Sequence, residues 1–262
     1  MPSSSPHKDT SQRQAKRLMC LATHHKGGTV WMKQIVMALS KAWGIPWIGI
    51  WSERQLSKVP DTGRAFLVNW HGTFPKELWD NPECGFLHVV RDPRDILLSG
   101  CQYHQTAGPK GEGFLHTPRT DLGGRTYQEH LNALETFEEK LLFEMHNKHA
   151  ETLAEMDAWP YDHPRQVTVR YEDLMQDMDG DLFADAIQIW GLSEEETQSA
   201  VETFWSKSLF GGQARSLART GHVQSGKIER WRSELPNSVL QVLTCKFLSS
   251  SSVMSFYKEC AT

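Results

Sequence analysis

The stretch Leu18-Met19-Cys20-Leu21-Ala22-Thr23-His24-His25-Lys26-Gly27-Gly28-Thr29-Val30-Trp31 carries the first structural signal of the chain. Its first five residues form a short continuous apolar run, the pattern of a strand buried on both faces. The turn-forming segment from His24 to Gly28 follows at once, and beyond it Trp31, Ile35, Val36 and Leu39 recur at helical spacing. Strand, glycine turn and helix make the opening unit of an anion-binding α/β domain. Glycines let the backbone approach an anion closely, and the helix behind them points its free N–H groups and positive dipole end the same way. Lys26 adds a full charge and Thr29 a hydroxyl. In the nucleoside-triphosphatase loop GxxxxGK[ST] the lysine follows the glycines, whereas here it precedes them. A lysine-bearing turn with no binding role would have the same composition, so the segment needs support from elsewhere.

Further short apolar runs at 45–50, 65–69, 86–90 and 166–170 read as more buried strands. Residues 93–104 read as a helix, with Pro93 in its first turn and Asp92 as its cap. Residues 105–125 hold five Gly and two Pro without a period and read as a long loop. From Tyr127 one long amphipathic helix is expected through Leu131, Leu134, Phe137, Leu141 and Met145, and more helix around 181–208. A glycine-rich basic loop at 211–230 precedes a final helix near 236–248. Strands alternating with helices imply an α/β fold: a single domain, a mainly parallel sheet flanked by helices, of the P-loop-containing nucleotide-hydrolase-like kind. Residues 1–16 read as a disordered tail and 17–262 as the domain.

Composition narrows the function. The chain of 262 residues, with 39% hydrophobic residues, 10 Trp and 11 Phe, has enough apolar material for one folded domain. A net charge of −4 gives no reason to expect nucleic acid or an anionic membrane as partner. An anionic ligand must then be held by local basic groups. Five scattered cysteines without a CxxC pair speak against a disulfide framework and a cysteine zinc site, and suit a reducing compartment. The polar N-terminus has no apolar core of a signal peptide, and no run of 18 apolar residues occurs, so the expected location is cytoplasmic.

The support comes from Phe86-Leu87-His88-Val89-Val90-Arg91-Asp92-Pro93-Arg94-Asp95, followed by Ser99. Arg91 ends a buried strand, where open α/β sheets bind their ligands. Its planar guanidinium suits two-point contact with phosphate. Asp92, Asp95 and Arg94 are better read as helix-capping and ion-pairing residues.

Together these segments resemble the PAPS-dependent sulfotransferase family (PAPS, 3′-phosphoadenosine 5′-phosphosulfate). Lys26-Gly27-Gly28-Thr29-Val30-Trp31 stands where that family has Lys-Ser-Gly-Thr-Thr-Trp, and Arg91 and Ser99 match its Arg and Ser eight residues apart. Tyr171-Glu172-Asp173 resembles its Tyr-Glu-Asp segment. Ser225-Gly226-Lys227-Ile228-Glu229-Arg230-Trp231 resembles its C-terminal Lys-Gly-x-x-Gly-x-Trp stretch. The likeness spans about 18–235. It implies PAPS as donor, 3′-phosphoadenosine 5′-phosphate (PAP) as product, a small-molecule hydroxyl acceptor, and no metal.

By that resemblance Lys26, His71 and Ser99 form the catalytic set. Lys26 would meet the leaving-group oxygen, and Gly27, Gly28, Thr29 and Val30 would hold the 5′-phosphate. Trp31 would lie on the adenine, Arg91 and Ser99 would bind the 3′-phosphate, and Tyr171 would reach the base. Phe204 or Trp205 would fill a further aromatic position. Asn69-Trp70-His71 stands where the family has its general base, so His71 is the candidate, with His24 and His25 as rivals. Gly27 and Val30 replace hydroxyl residues. Gln224-Ser225-Gly226 replaces Arg-Lys-Gly, leaving Arg215, Arg219 or Lys227 to meet the 3′-phosphate beside Ser225 and Gly226. A P-loop small-molecule kinase and a non-catalytic nucleotide-binding protein are the rival classes. The loop 105–125 is expected to be a mobile lid touching the acceptor through Phe114, Leu115 and His116. Five tryptophans (Trp43, Trp47, Trp51, Trp70, Trp79) suggest an apolar acceptor face or a core.

Overall fold

Five short strands form one wholly parallel sheet: β1 (Leu18–Ala22), β2 (Trp47–Gly49), β3 (Ala65–Asn69), β4 (Cys84–Val90) and β5 (Gln166–Arg170). They lie in the order β2-β3-β1-β4-β5. This is a computed structural model, and the structure describes residues 15–208, 227–249 and 251–259. The apolar runs are continuous because the sheet is covered on both faces. Alternation along β1 shows it: Met19 and Leu21 join one core with Phe66, Val68, Leu87 and Val89. Leu18, Cys20 and Ala22 join the opposite core with Ala65, Leu67 and Phe86.

Helix α1 (Thr29–Trp43) buries Trp31, Met32, Ile35, Val36 and Leu39, the face expected from their spacing. α2 (Lys76–Asp80) is a short turn of helix between β3 and β4. α3 (Pro93–His104) starts on Asp92, whose side chain accepts from the Arg94 N–H at 2.9 Å, with Pro93 in the first turn. Asp92 also pairs with the Arg94 guanidinium at 2.6 Å, so both have the structural roles read for them.

The single long helix expected from Tyr127 is three: α4 (Tyr127–Ala133), α5 (Phe137–His146) and α6 (Lys148–Asp157). Leu134 leaves helical geometry, and Thr136 restarts it through a reciprocal cap with Glu139. Thr126 and Glu129 do the same for α4. The apolar period continues across the break because all three pieces pack on one core, which also takes in Leu97, Leu98 and Cys101 of α3.

The loop 105–125 is not structureless. It contains 3-10 turns at Gly113–His116 and Thr120–Leu122, and it buries Leu115 completely. After β5 come α7 (Tyr171–Leu174), α8 (Asp181–Ile187) and α9 (Glu194–Lys207). The final helix expected at 236–248 is regular only over Asn237–Leu243. It continues as a π-helical turn, Thr244–Leu248, and a further helix covers Ser252–Glu259. No helix among the described residues is long and apolar enough to cross a membrane.

The chain runs from β1 out to β2 and β3 on one side, then crosses to β4 and β5 on the other. The carboxyl ends of β1 and β4 therefore flank a topological switch point, where such sheets leave a crevice. Residues 23–28, 70–71, 91 and 171 all follow directly on strand ends.

Candidate active site

The loop after β1 is locked by its own backbone. Gly27 N–H donates to the His24 carbonyl at 2.8 Å, the Thr29 hydroxyl donates to the same carbonyl at 3.0 Å, and Thr23 and Thr29 hydroxyls meet at 2.7 Å. Gly28 lies at φ 97°, and a Cβ there would stand 2.9 Å from the Tyr171 ring. Only glycine fits that conformation and that clearance together. The non-glycine Lys26 is also held in the left-handed region, at φ 59°, a conformation that persists only where surrounding contacts enforce it. One such contact is the Arg91 guanidinium, which donates to the Lys26 carbonyl at 3.1 Å.

Above this loop lies a cavity of about 480 Å³. Its walls include Lys26, Gly28, Thr29, Val30 and Trp31 from the β1–α1 unit, and His71, Arg91, Ser99 and Tyr171 from three other segments. Gly27 is buried beneath them. The Lys26 ammonium rests 3.7 Å from the Tyr103 ring centroid. Burial first, and the neighbouring Arg91 charge second, pull its pKa down to about 8. Arg91 also lies over the Tyr171 ring at 4.9 Å and 3.9 Å from Asp95. Arg91 Nε and Trp31 Nε1 are buried donors without a hydrogen-bond partner among the described residues. The first-turn N–H groups of α1 add further free donors, since the first intrahelical bond is Met32 N–H to Gly28 O.

Local basic groups supply the charge that net composition does not. Beyond Lys26 and Arg91, the walls carry Lys33, Lys110, Lys148, Lys207, Lys227 and Arg230, against Glu112 as the carboxylate. Of those six, the family resemblance pointed only to Lys227. Lys148 and Lys110 come from α6 and the 105–125 segment, far away in sequence. A chain of overall charge −4 thus contains a strongly cationic crevice with unsatisfied N–H donors, and these features fit a polyphosphorylated ligand.

His71 follows β3 in a turn pinned by Asn69, whose side-chain oxygen accepts from the backbone N–H groups of His71 and Thr73 at 2.7 and 3.3 Å. A carboxylate only accepts, so His71 Nδ1–H donates to Glu155 Oε1 at 2.9 Å, and in the neutral imidazole Nε2 is the acceptor nitrogen. Burial alone would raise the Glu155 pKa; the imidazoles of His24 and His71 outweigh it and hold the carboxyl at about 2. His24 is fully buried and off the cavity. Its Nδ1 stands 3.8 Å from Glu155 Oε2, its Nε2 contacts His88 Nε2 at 2.8 Å, and burial above all lowers its pKa.

The two aromatic candidates in α9 lie elsewhere. Phe204 is buried behind Trp31, ring centroids 5.0 Å apart, and stacks on Phe183 at 4.4 Å. Trp205 is 46% exposed beside Met178 and Val201. Neither lines the cavity. Of the five tryptophans between 43 and 79, only Trp70 does; Trp79 stacks on Phe86 in the core at 3.8 Å. Phe114 lines the cavity, while Leu115 is in the core. Ser225, Gly226, Arg215 and Arg219 lie outside the described residues.

A lysine-glycine loop and an arginine at adjacent strand ends, under a cationic crevice, define an α/β protein built to hold a nucleotide-sized polyanion. The chain belongs to the sulfotransferase domain family, whose pattern matches residues 17–247, and it is a sulfotransferase by class. Its fold is similar to that of mouse sulfotransferase SULT7A1 complexed with PAP, with TM-score 0.60 and 14% identity over 95% of this chain and 90% of that one. It is also similar to retinol dehydratase in complex with androsterone and inactive cofactor PAP, with TM-score 0.53 and 17% identity over 92% and 83%. A second retinol dehydratase structure, with retinol and PAP, gives TM-score 0.52 and 16% identity over 92% and 84%. No curated protein sequence matches the chain.

Proposed function

We propose that this sulfotransferase moves the sulfuryl group of PAPS onto the hydroxyl of a small-molecule acceptor, with Lys26 stabilising the leaving group and His71 as general base. One observation carries the reading: Lys26, Arg91, Ser99 and His71, from three strand ends and one helix, line a single cavity. PAP in the SULT7A1 and retinol dehydratase structures supports the donor. Androsterone and retinol, both hydroxyl-bearing and mostly apolar, support the acceptor class.

In this reading the N–H groups at the start of α1 bind the 5′-phosphate and Arg91 with Ser99 the 3′-phosphate. That pair sits on β4 and α3, so it fixes the nucleotide against the same loop that presents Lys26. His71 Nε2 takes the acceptor proton as the acceptor oxygen forms its bond to sulfur. The bond from sulfur to the departing phosphate oxygen breaks, and the Lys26 ammonium meets the charge that collects there. Such a contact strengthens towards the transition state and so accelerates the chemical step. Glu155 holds His71 in the tautomer that exposes Nε2.

The test is incubation of the protein with PAPS or with ATP, each with a panel of phenols and apolar alcohols. Sulfated product with PAPS and none phosphorylated with ATP is the expected result. Phosphorylated product would favour a kinase, and tight PAP binding without turnover a non-catalytic nucleotide-binding protein.

A further inference from the structure

His25 points to a different set of partners from His24. Its Nε2 lies 2.9 Å from Nε2 of His104, at the C-terminal end of α3. His104 Nδ1–H donates to Glu144 Oε2 at 2.8 Å, and the Tyr127 hydroxyl donates to that same oxygen at 2.7 Å. The His104 ring and Glu144 are both buried. This places a proton on His104 Nδ1 and leaves Nε2 as the nitrogen it presents to His25. The Glu112 carboxylate completes the group: the donor atoms of His25, His104 and Glu112 all lie within 4.8 Å of one another. His25 and Glu112 are also on the cavity wall.

We infer that His25, His104 and Glu112 form a binding site for a divalent transition-metal ion, with its remaining coordination positions open to the cavity. The ligand chemistry selects the ion: two imidazole nitrogens and one carboxylate suit zinc or ferrous iron, and suit magnesium or calcium poorly. Two nitrogens bound tetrahedrally to one zinc ion stand about 3.3 Å apart, so the His25–His104 pair needs to part by about 0.4 Å. The ring centroids are 5.0 Å apart and the planes 20° from parallel, so both rings must also turn for their Nε2 lone pairs to converge on one ion. His25 then carries its proton on Nδ1, a tautomer change with no net proton release. The Glu144–His104 bond is the carboxylate–histidine support common behind metal-bound imidazoles. Glu112 and Glu144 together balance a dication beside Lys26 and Lys148.

Chelator-treated full-length protein is titrated with Co²⁺ and followed by visible d–d absorption, and Zn²⁺ is used to displace it. One ion per chain is expected, displaced by Zn²⁺. Glu112→Gln and His25→Ala, both on the cavity wall, are expected to abolish the band while the protein keeps its native circular dichroism. Glu144→Gln should weaken binding by roughly 10–100-fold. No saturable band in the folded wild-type protein overturns the site. So does a band of unchanged affinity in both Glu112→Gln and His25→Ala, which would place the ion elsewhere.

Discussion

His24 and His25 are neighbours in the chain and join different hydrogen-bond networks. His24 turns under the sheet, where Glu155 links it to His71 on the cavity wall. His25 turns towards α3, where His104 leads to Glu144, buried in the helical core. Each histidine leads to one carboxylate, but the two carboxylates face different surroundings. Glu155 is partly exposed and ionised, and it orients a half-exposed imidazole that reaches the cavity. Glu144 is almost fully buried and anchors Tyr127 as well as His104. In the proposed mechanism the first network serves proton transfer, while the second anchors His104 and Tyr127 in the core; they diverge from adjacent residues of one loop.

Mutations should separate the two. The largest effect is expected at Lys26, which both networks flank. Lys26→Ala should cost about 100- to 1000-fold in kcat, with a much smaller loss of PAP affinity, measured by steady-state kinetics and calorimetry. Because the Lys26 ammonium is held at about 8, wild-type kcat should also fall as pH rises through that value. His71→Asn should lower kcat by about 100-fold or more with PAP affinity intact, and Glu155→Gln by less, with the same intact affinity. The mirror substitution, Glu144→Gln, should do the reverse. It leaves two buried donors poorly paired, so stability should drop by about 1–3 kcal/mol, seen as a lower denaturant midpoint, while metal-free kcat changes little. Equal kinetic losses in the two glutamine variants would contradict the division of labour.

Much of this was legible from residues. The strands could be read because burial on both faces makes them continuous apolar runs. Arg91 could be placed because it ends a strand and Lys26 because it sits in the glycine turn after one, whereas Tyr171 was placed by the family resemblance. The break at Leu134 was signalled only by Thr136 and Glu139, a capping pair hidden inside a continuous apolar period. The histidine networks were not legible at all: His71 and Glu155 are 84 residues apart, and His25 and His104 are 79 apart. No local pattern encodes such a pairing; it exists only once the sheet brings β1, β3 and the helices together. The cationic walls were hidden for the same reason, and the same is true of Leu115, which pins the 105–125 segment into the core.

The central claim is that the loop after β1 and the end of β4 together hold a nucleotide bearing both a 5′- and a 3′-phosphate. Isothermal calorimetry with PAP and with 5′-AMP on wild-type protein and Arg91→Ala tests it directly. The account predicts that PAP binds at least tenfold more tightly than AMP. It also predicts that Arg91→Ala removes most of that difference, since one charge-assisted contact is worth about 1.5–3 kcal/mol. Equal affinity of the wild-type protein for the two nucleotides would contradict it.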